Sequence, residues 1–372
     1  EITGTGKIRS PCSSFCSFGN MKVEWQQVKL VPDPVHGVPV ERSSHGVSLL
    51  RQGTLLFLYG GEHIARTPIS EPPHQAVWKA DLSSDKPQWH AIAAPDGPSP
   101  RVAHAQAVHR NNNKETVYLF GGRAGIHMQE SPLNDLWAWQ VDTETWSEIT
   151  ITSGTPPEAR SFHRMVCVDD SLYVFGGCGK SGRLADLHRF DVTTQTWHAL
   201  APSTLRGRGG ANLVALSASR KLLVWAGFAG EETYDGQVYD IATDTWETME
   251  LSEPVRPRSV CVAGALAKED RIVIFGGEVN PSDRGHEGAG GFAQDVVLMK
   301  LVSHSSSSSS SNLLKCQQGD ALGTPPSANV PCSRGWSAGD TFENSLYVFG
   351  GLTGDDTNPK RLGDLWKLTI QD

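Results

Sequence analysis

Residues 160–197 read RSFHRMVCVDDSLYVFGGCGKSGRLADLHRFDVTTQTW, and this stretch decides the fold. It holds three runs of strand length: RSFHRMVCV, SLYVFGG at 171–177, and ADLHRFDV. A polar turn, Thr194-Gln195-Thr196, then leads to Trp197, which opens a fourth. The runs are too short and too rich in β-branched and aromatic residues to require a helix. The same order recurs along the chain. LLFLYGG (55–61), TVYLFGG (116–122), LLVWAG (222–227), RIVIFGG (271–277) and SLYVFGG (345–351) repeat the apolar run that ends in two small residues. Each follows a segment opening on Arg and small residues: RSSHGVSLL, RVAHAQAV, RGGANLVAL, RSVCVAGAL and RGWSAGDTF. Each precedes a further strand, acidic at its start in NDLWAWQVD, DGQVYDI, QDVVLMKL and GDLWKLTI, with AVWKADL in the first copy. Trp89, Trp146 and Trp246 take the place of Trp197 in three other copies.

A four-stranded meander repeated six times, at about 50 residues per unit, is the sequence signature of propeller blades. The expectation is therefore an all-β chain forming a six-bladed β-propeller. The 38 Gly and 11 Trp fit that reading, since each unit needs sharp turns at its inner rim and a large ring to fill the space against its neighbour. The sixth unit ends without a Trp-bearing strand, and Val23-Glu24-Trp25-Gln26-Gln27-Val28-Lys29-Leu30 supplies one, so the N-terminal strand closes the last blade. The domain reading is a disordered N-terminal segment at 1–22 and a single propeller over 23–372. A Ser/Pro-rich insertion loop at 303–332 interrupts it, with Asn312-Leu313-Leu314-Lys315 as the fifth unit's fourth strand. From Val23 to Ile370 the pattern resembles the Kelch repeat.

Bulk properties narrow the function. A net charge of −8 gives no basic face for nucleic acid. No stretch approaches the roughly 20 apolar residues that span a bilayer, and Glu1 to Met21 lacks the apolar core of a signal peptide, so a cytoplasmic protein with no membrane partner is expected. The seven Cys lack metal-ligand spacing and read as reduced thiols. A ring that closes on itself is expected to be a monomer.

In a four-stranded meander the start of the first strand, the link between the second and third, and the end of the fourth share one face. That face receives Arg42, Arg101, Arg160, Arg208, Arg258 and Arg334. Two readings stand for them. A convergent set of guanidinium forks suits a sulfate, phosphate or carboxylate; alternatively, each Arg pairs with a carboxylate to hold the ring together. The loop after the fifth double glycine carries Glu278, Asp283 and His286, two carboxylates and an imidazole, the set that leaves open positions on non-haem Fe(II). Solvated or backbone-bonded side chains are the other reading. His45, His104 and His163 recur three residues after Arg and read as structural hydrogen bonders.

The loop and its surroundings resemble the plant specifier proteins of glucosinolate breakdown: the nitrile-specifier, epithiospecifier and thiocyanate-forming proteins. That family carries Glu, Asp and His as ExxxDxxxH after a double glycine. Here Glu278 and His286 match, Asp283 falls one residue late, and Ser282 stands in the expected place. RSSHG at 42–46, ARSFH at 159–163, RGGA at 208–211 and RGW at 334–336 extend the likeness over all six units. The resemblance implies Fe²⁺ as cofactor, held by Glu278, Asp283 and His286, and a sulfated thiohydroximate or related small anion as substrate. It further implies that Arg160 and Arg101 hold the anion, while Trp336 lines the pocket. Arg101 keeps the ordinary Kelch position, where specifier proteins place their Arg a few residues later. The other expected role is a non-catalytic module that binds a protein partner at the same loop face.

Overall fold

Alternating apolar residues flanked by turns dictate short antiparallel strands, and the computed structural model builds them throughout. It describes residues 22–70, 76–112, 114–125, 132–267, 269–306, 309–318 and 329–371, with backbone alone for 286, 303–306, 309–311 and 317–318. Residues 1–21 of the N-terminal segment, with two of the seven Cys, lie outside the described residues. Among the described residues the one helical segment is the 3-10 turn Gly285–Glu287.

The first repeat forms a sheet in the order Gly46–Leu50, Leu55–Tyr59, Val77–Asp81, Trp89–Ile92. The second runs Ala105–Asn111, Lys114–Gly122, Leu133–Gln140, Thr145–Glu148, and the third Arg164–Val168, Ser171–Cys178, Arg183–Asp191, Thr196–Ala199. In the last sheet Ala338–Phe342, Ser345–Asp355 and Asn358–Gln371 are completed by Lys22–Val28, which pairs antiparallel from Lys22 opposite Gln371 to Val28 opposite Leu365. First and last segments thus share one sheet.

Four blades stand as separate sheets, not six. The fourth and fifth repeats merge into one eight-stranded sheet: Asn212–Leu216, Lys221–Phe228, Glu232–Asp240 and Thr245–Leu251, then Ser309–Gln318, Val296–Ser306, Arg271–Phe275 and Val262–Ala265. The seam is a parallel pairing of Met249, Glu250 and Leu251 with Asn312, Leu313 and Leu314. Elsewhere the chain leaving one repeat touches the next outer strand through an isolated parallel bridge, as Ser153 does with Thr196 and Val31 with Gln88. Here the contact lengthens. Cys316 stands opposite Met299 where Trp197 stands opposite Phe190, so no indole holds the neighbouring strand away.

Where the Trp is present it is the spacer between sheets. Trp146 meets Tyr59 at 5.3 Å, Trp197 meets Phe120 at 5.3 Å, Trp246 meets Phe175 at 5.9 Å and Trp89 meets Phe349 at 5.5 Å. Trp25, on the closing N-terminal strand, meets Phe275 at 4.8 Å. Each outer ring packs on an aromatic of the preceding repeat, so no sheet buries its face alone.

The serine run departs from expectation. Ser303 to Ser306 pair antiparallel with Ser309 to Asn312, so the hairpin arms extend through residues expected to form a loop. A β-ladder satisfies backbone groups whatever the side chain, and the adjoining Leu301 and Leu314 anchor it in the core. Asn312–Lys315 lies in the fifth repeat's outer strand, as read from sequence.

Two sets of backbone bonds tie the ring. The second small residue after each apolar run donates its N–H to the next repeat's Arg carbonyl: Gly61 to Arg101, Gly122 to Arg160, Gly177 to Arg208, Gly227 to Arg258, Gly277 to Arg334 and Gly351 to Arg42. At Gly177, φ is +100° and a Cβ would lie 2.7 Å from the Ser161 oxygen, so glycine is required. Nearer the axis, Ser44, Ala103, Phe162, Gly210, Val260 and Trp336 each sit two residues after an Arg, and each has positive φ. Ser44 N–H donates to Trp336 O, Ala103 to Ser44, Phe162 to Ala103, Gly210 to Phe162, Val260 to Gly210 and Trp336 to Val260, closing a circle. Holding five non-glycine residues in this region costs roughly 1 kcal/mol or more each, which the closed set of hydrogen bonds offsets.

Candidate functional site

The six arginines are buried, with 0–2% of each exposed. Arg101 donates to both Asp135 oxygens at 2.7 and 2.8 Å, and Arg160 to both Asp186 oxygens at the same distances. Arg208 is paired with Asp235, Arg258 with Asp295 and Arg334 with Asp364. Each partner lies on the same repeat's third strand or, for Asp295, immediately before it. Each Arg also donates to the carbonyl of the first small residue of its own repeat: Gly60, Gly121, Gly176, Ala226, Gly276 and Gly350. Arg101 and Arg160 are therefore not presented to an anion. Their forks are filled by carboxylates within one sheet, which corrects the reading of these two as substrate-binding groups.

The axis is closed at the same level. Phe162 and Trp336, both on the backbone circle, meet edge to face at 5.3 Å and form a plug. On the loop side of this plug lies a cavity of about 310 Å³ with Phe162, Val260 and Trp336 among its walls. Phe228, Cys178, Ser259, Glu278, Pro281 and Ser282 complete much of the lining.

Two arginines outside the repeat pattern reach this cavity. Arg123 follows the second double glycine and donates from Nε to Ser161 Oγ at 2.9 Å. Arg183 opens the third strand of its repeat and lies over the Phe228 ring at 4.6 Å. No carboxylate ion pair engages either among the described residues. A guanidinium on an aromatic face stays oriented while keeping its edge for an oxyanion. Sequence reasoning missed both residues because neither recurs; the signal was their place in the loops that follow the double glycines.

Glu278 begins the short strand Glu278–Asn280, which pairs with Gly291–Phe292. It is 7% exposed, and it exchanges both backbone bonds with Ser259. Burial pushes its carboxyl up to about 7, opposed by the Ser282 N–H and assisted by the Asp356 charge. Behind it, Glu232 accepts from Ser259 Oγ at 3.2 Å, and burial and the Glu278 charge push it up to about 8. Both carboxyls are therefore held above the ordinary carboxylate range.

Asp283 is exposed and absent from the cavity lining. Ser282 lines the cavity instead, and its hydroxyl donates to Asp356, while Arg284 donates to the Asp356 carbonyl. The His286 side chain lies outside the described residues. Of the two carboxylates expected to hold Fe²⁺, Glu278 lines the cavity and Asp283 does not. Among the described residues no cluster of three His, Cys, Asp or Glu is arranged to hold a metal ion. His45 and His163 are buried, and their Nε2 atoms lie 3.1 Å from the carbonyls of Phe349 and Phe120. Those contacts agree with the structural reading. No helix is long and apolar enough to cross a membrane among the described residues.

Comparison with known proteins places these features in context. A plant protein of Thlaspi arvense, N-(sulfonatooxy)prop-2-enimidothioate sulfolyase, is 29% identical over 310 residues, covering 74% of this chain and 82% of that protein. Adagio protein 3 of Arabidopsis thaliana is 27% identical over 75% of this chain and 45% of its own length. The Rab9 effector protein with kelch motifs of Bos taurus is 31% identical over 58% of this chain and 55% of its own length. The chain spans about half the length of these last two. The solved structure of YjhT superimposes with a TM-score of 0.63 over 90% of this chain and 99% of that one, at 19% identity, which establishes the propeller architecture alone. The family model described as the KLHDC2/KLHL20/DRC7 Kelch-repeats domain matches residues 70–277, more than half of the sequence, and the chain belongs to the Kelch-repeat family.

Proposed function

We propose that the loop-face cavity binds a small anion with an apolar body, of the sulfated thiohydroximate class or a close relative, in the manner of the specifier proteins. The observation that carries this reading is the pairing of Arg123 and Arg183 with the aromatic wall of Phe162, Phe228 and Trp336 in one cavity. The guanidinium edges would take the oxyanion, and the rings would take the apolar part out of water. Similarity to the Thlaspi arvense sulfolyase over most of both chains supports the substrate class. The ring counted by repeats is six-bladed in this reading, the two halves of the eight-stranded sheet being two blades.

Fe²⁺ dependence belongs to the proposal as a separate matter. Glu278 is the cavity residue that would contribute to holding the ion, and no step is assigned to it, because Asp283 lies away from the lining. What this chain supplies on its own is binding, orientation and exclusion of water.

Anion titration of the wild type against Arg183→Gln and Arg123→Gln tests the site, followed by product analysis with myrosinase and a glucosinolate, with and without Fe²⁺. Each substitution should weaken anion binding by about tenfold or more, as loss of a charge-assisted hydrogen bond does. Unchanged affinity in both variants refutes the site. Intact anion binding with unaltered products would leave the site and remove the specifier activity.

A second reading is a protein-interaction module whose partner places an acidic side chain in the same cavity. Ile64, 65% exposed on the hairpin after the first double glycine, favours it by offering an apolar contact on the loop face. Capture of a partner that depends on both Ile64 and Arg183 would support this alternative.

A further inference from the structure

Beyond the Phe162–Trp336 plug, the channel opens into a second cavity of about 260 Å³, lined by the innermost strands. One residue there breaks the repeat. Four positions after the repeated Arg stand Gly46, Ala105, Asn212, Val262 and Ala338, but the third repeat has Arg164. Its Nε donates to Ala211 O and one Nη to Cys261 O, both at 2.9 Å, so the guanidinium is fixed from two neighbouring repeats. Five of the repeated arginines pair with Asp, whereas no carboxylate ion pair engages Arg164 among the described residues. Two carbonyls occupy two of five N–H donors and leave the charge uncompensated.

The neighbouring polar groups point to a ligand as well. Asn212 turns its Nδ2 to Trp225 O at 3.2 Å, leaving a buried Oδ1 with no partner. His104 is 7% exposed and its Nδ1 has no partner; burial, with the Arg101 charge, lowers its pKa to about 3 against a hydrogen bond to Gln106, so the ring is neutral. On the same lining, Arg110 is committed to Glu115 and Leu49 O, and Gln106 donates to Ser48 Oγ. Asp340 lies two positions further along its strand than the Arg164 level, and accepts from the Leu49 and Thr341 N–H groups. It adds an opposing charge about 7 Å deeper.

We propose that the channel cavity is a second binding site, for a small oxyanion that also carries a hydroxyl, with Arg164 receiving the anionic oxygens and Asn212 Oδ1 and His104 receiving the hydroxyl. Either hydrogen phosphate or a hydroxycarboxylate has this chemistry; sulfate and acetate have the charge without the hydroxyl. The plug separates the site from the loop-face cavity, so it stands independently of the reading proposed there.

Isothermal titration with phosphate, sulfate, lactate and acetate at constant ionic strength tests the assignment on the wild type, Arg164→Gln, His104→Leu and Arg123→Gln/Arg183→Gln. The wild type should bind phosphate or lactate saturably and more tightly than the matching sulfate or acetate, and the stronger arm identifies which oxyanion is preferred. Arg164→Gln should weaken that binding by about tenfold or more, while Arg123→Gln/Arg183→Gln should preserve it. His104→Leu removes a single side-chain hydrogen bond, to Gln106, and should fold; it should narrow the preference for the hydroxyl-bearing ion even if Arg164→Gln fails to fold. No saturable binding, an unchanged preference in His104→Leu, or binding lost only in Arg123→Gln/Arg183→Gln would overturn the proposal.

Discussion

Replacing Asp135 by Ala separates the two readings of the repeated arginines. The substitution removes both carboxylate acceptors of Arg101, which is 1% exposed in the wild type, with bonds remaining to Gly121 O, Ser99 O and Ser99 Oγ. It also frees Trp137 Nε1, which donates to Asp135 Oδ2 at 2.8 Å. Stranding a buried charge in this way costs about 3–5 kcal/mol. At ~2.1 cal/mol/K per residue over the roughly 325 described residues, the unfolding midpoint should fall by roughly 4–7 °C. Burial raises the Asp135 carboxyl, but the Arg101 bonds and charge and the Trp137 bond outweigh it and hold its pKa below the ordinary 3.8. The pair's contribution is therefore present above that value and lost as pH falls through the folded pKa. Thermal and urea unfolding at pH 7 and pH 3 should show the variant's deficit shrinking at the lower pH. Replacing both partners by apolar residues, Arg101→Met with Asp135→Leu, should cost less than Asp135→Ala alone. Wild-type stability in Asp135→Ala, or loss of anion binding without loss of stability, would refute the structural assignment.

Gly177→Ala should cost more than about 1 kcal/mol, because φ is +100° and the added methyl meets the Ser161 oxygen; a denaturant midpoint checks it. Trp25→Ala should remove about 3–5 kcal/mol, since it empties the space between the closing strand and Phe275; the same measurement reads it, with protease cleavage of 22–28 as a second readout. Glu232 has its folded pKa raised to about 8, so its contribution is complete below the ordinary 4.5 and is lost as pH rises through 8. Glu232→Gln should therefore flatten the fall in stability between about pH 5 and 8, measured by unfolding across that range.

The parts that repeat were legible. Six concordant runs placed the strands; the missing outer strand of the last unit pointed to Trp25; and Asn312 to Lys315 were found by their apolar pair after a polar run. The arginines show the limit of that method. The acidic partners of five of them lie on or just before the third strand of the unit, 26–37 residues later, and were visible as a pattern, yet a repeat alone leaves open whether two recurring residues touch. Arg123, Arg183 and Arg164 were invisible for the opposite reason: each occurs once, and a search for periodicity discards it. Asp356 supplies a carboxylate beside Ser282 from a hairpin 74 positions away, a juxtaposition that only the closed ring creates. The fused fourth and fifth repeats depend on parallel edge pairing, which leaves no period in the chain to read.

The backbone circle with its Phe162–Trp336 plug has a kinetic consequence. A propeller channel open at both ends would let a substrate enter by one mouth and its product leave by the other. Here Phe162 and Trp336 narrow the channel behind the loop-face cavity, so a ligand that enters from the loop face should leave by the same opening. Under the specifier-like function proposed above, product still in the cavity would exclude the next substrate, and inhibition by product should be competitive. Turnover at such a site would then be governed by how readily the Glu278 loop, bridged to Asp356 through Ser282 and Arg284, lets that single doorway clear.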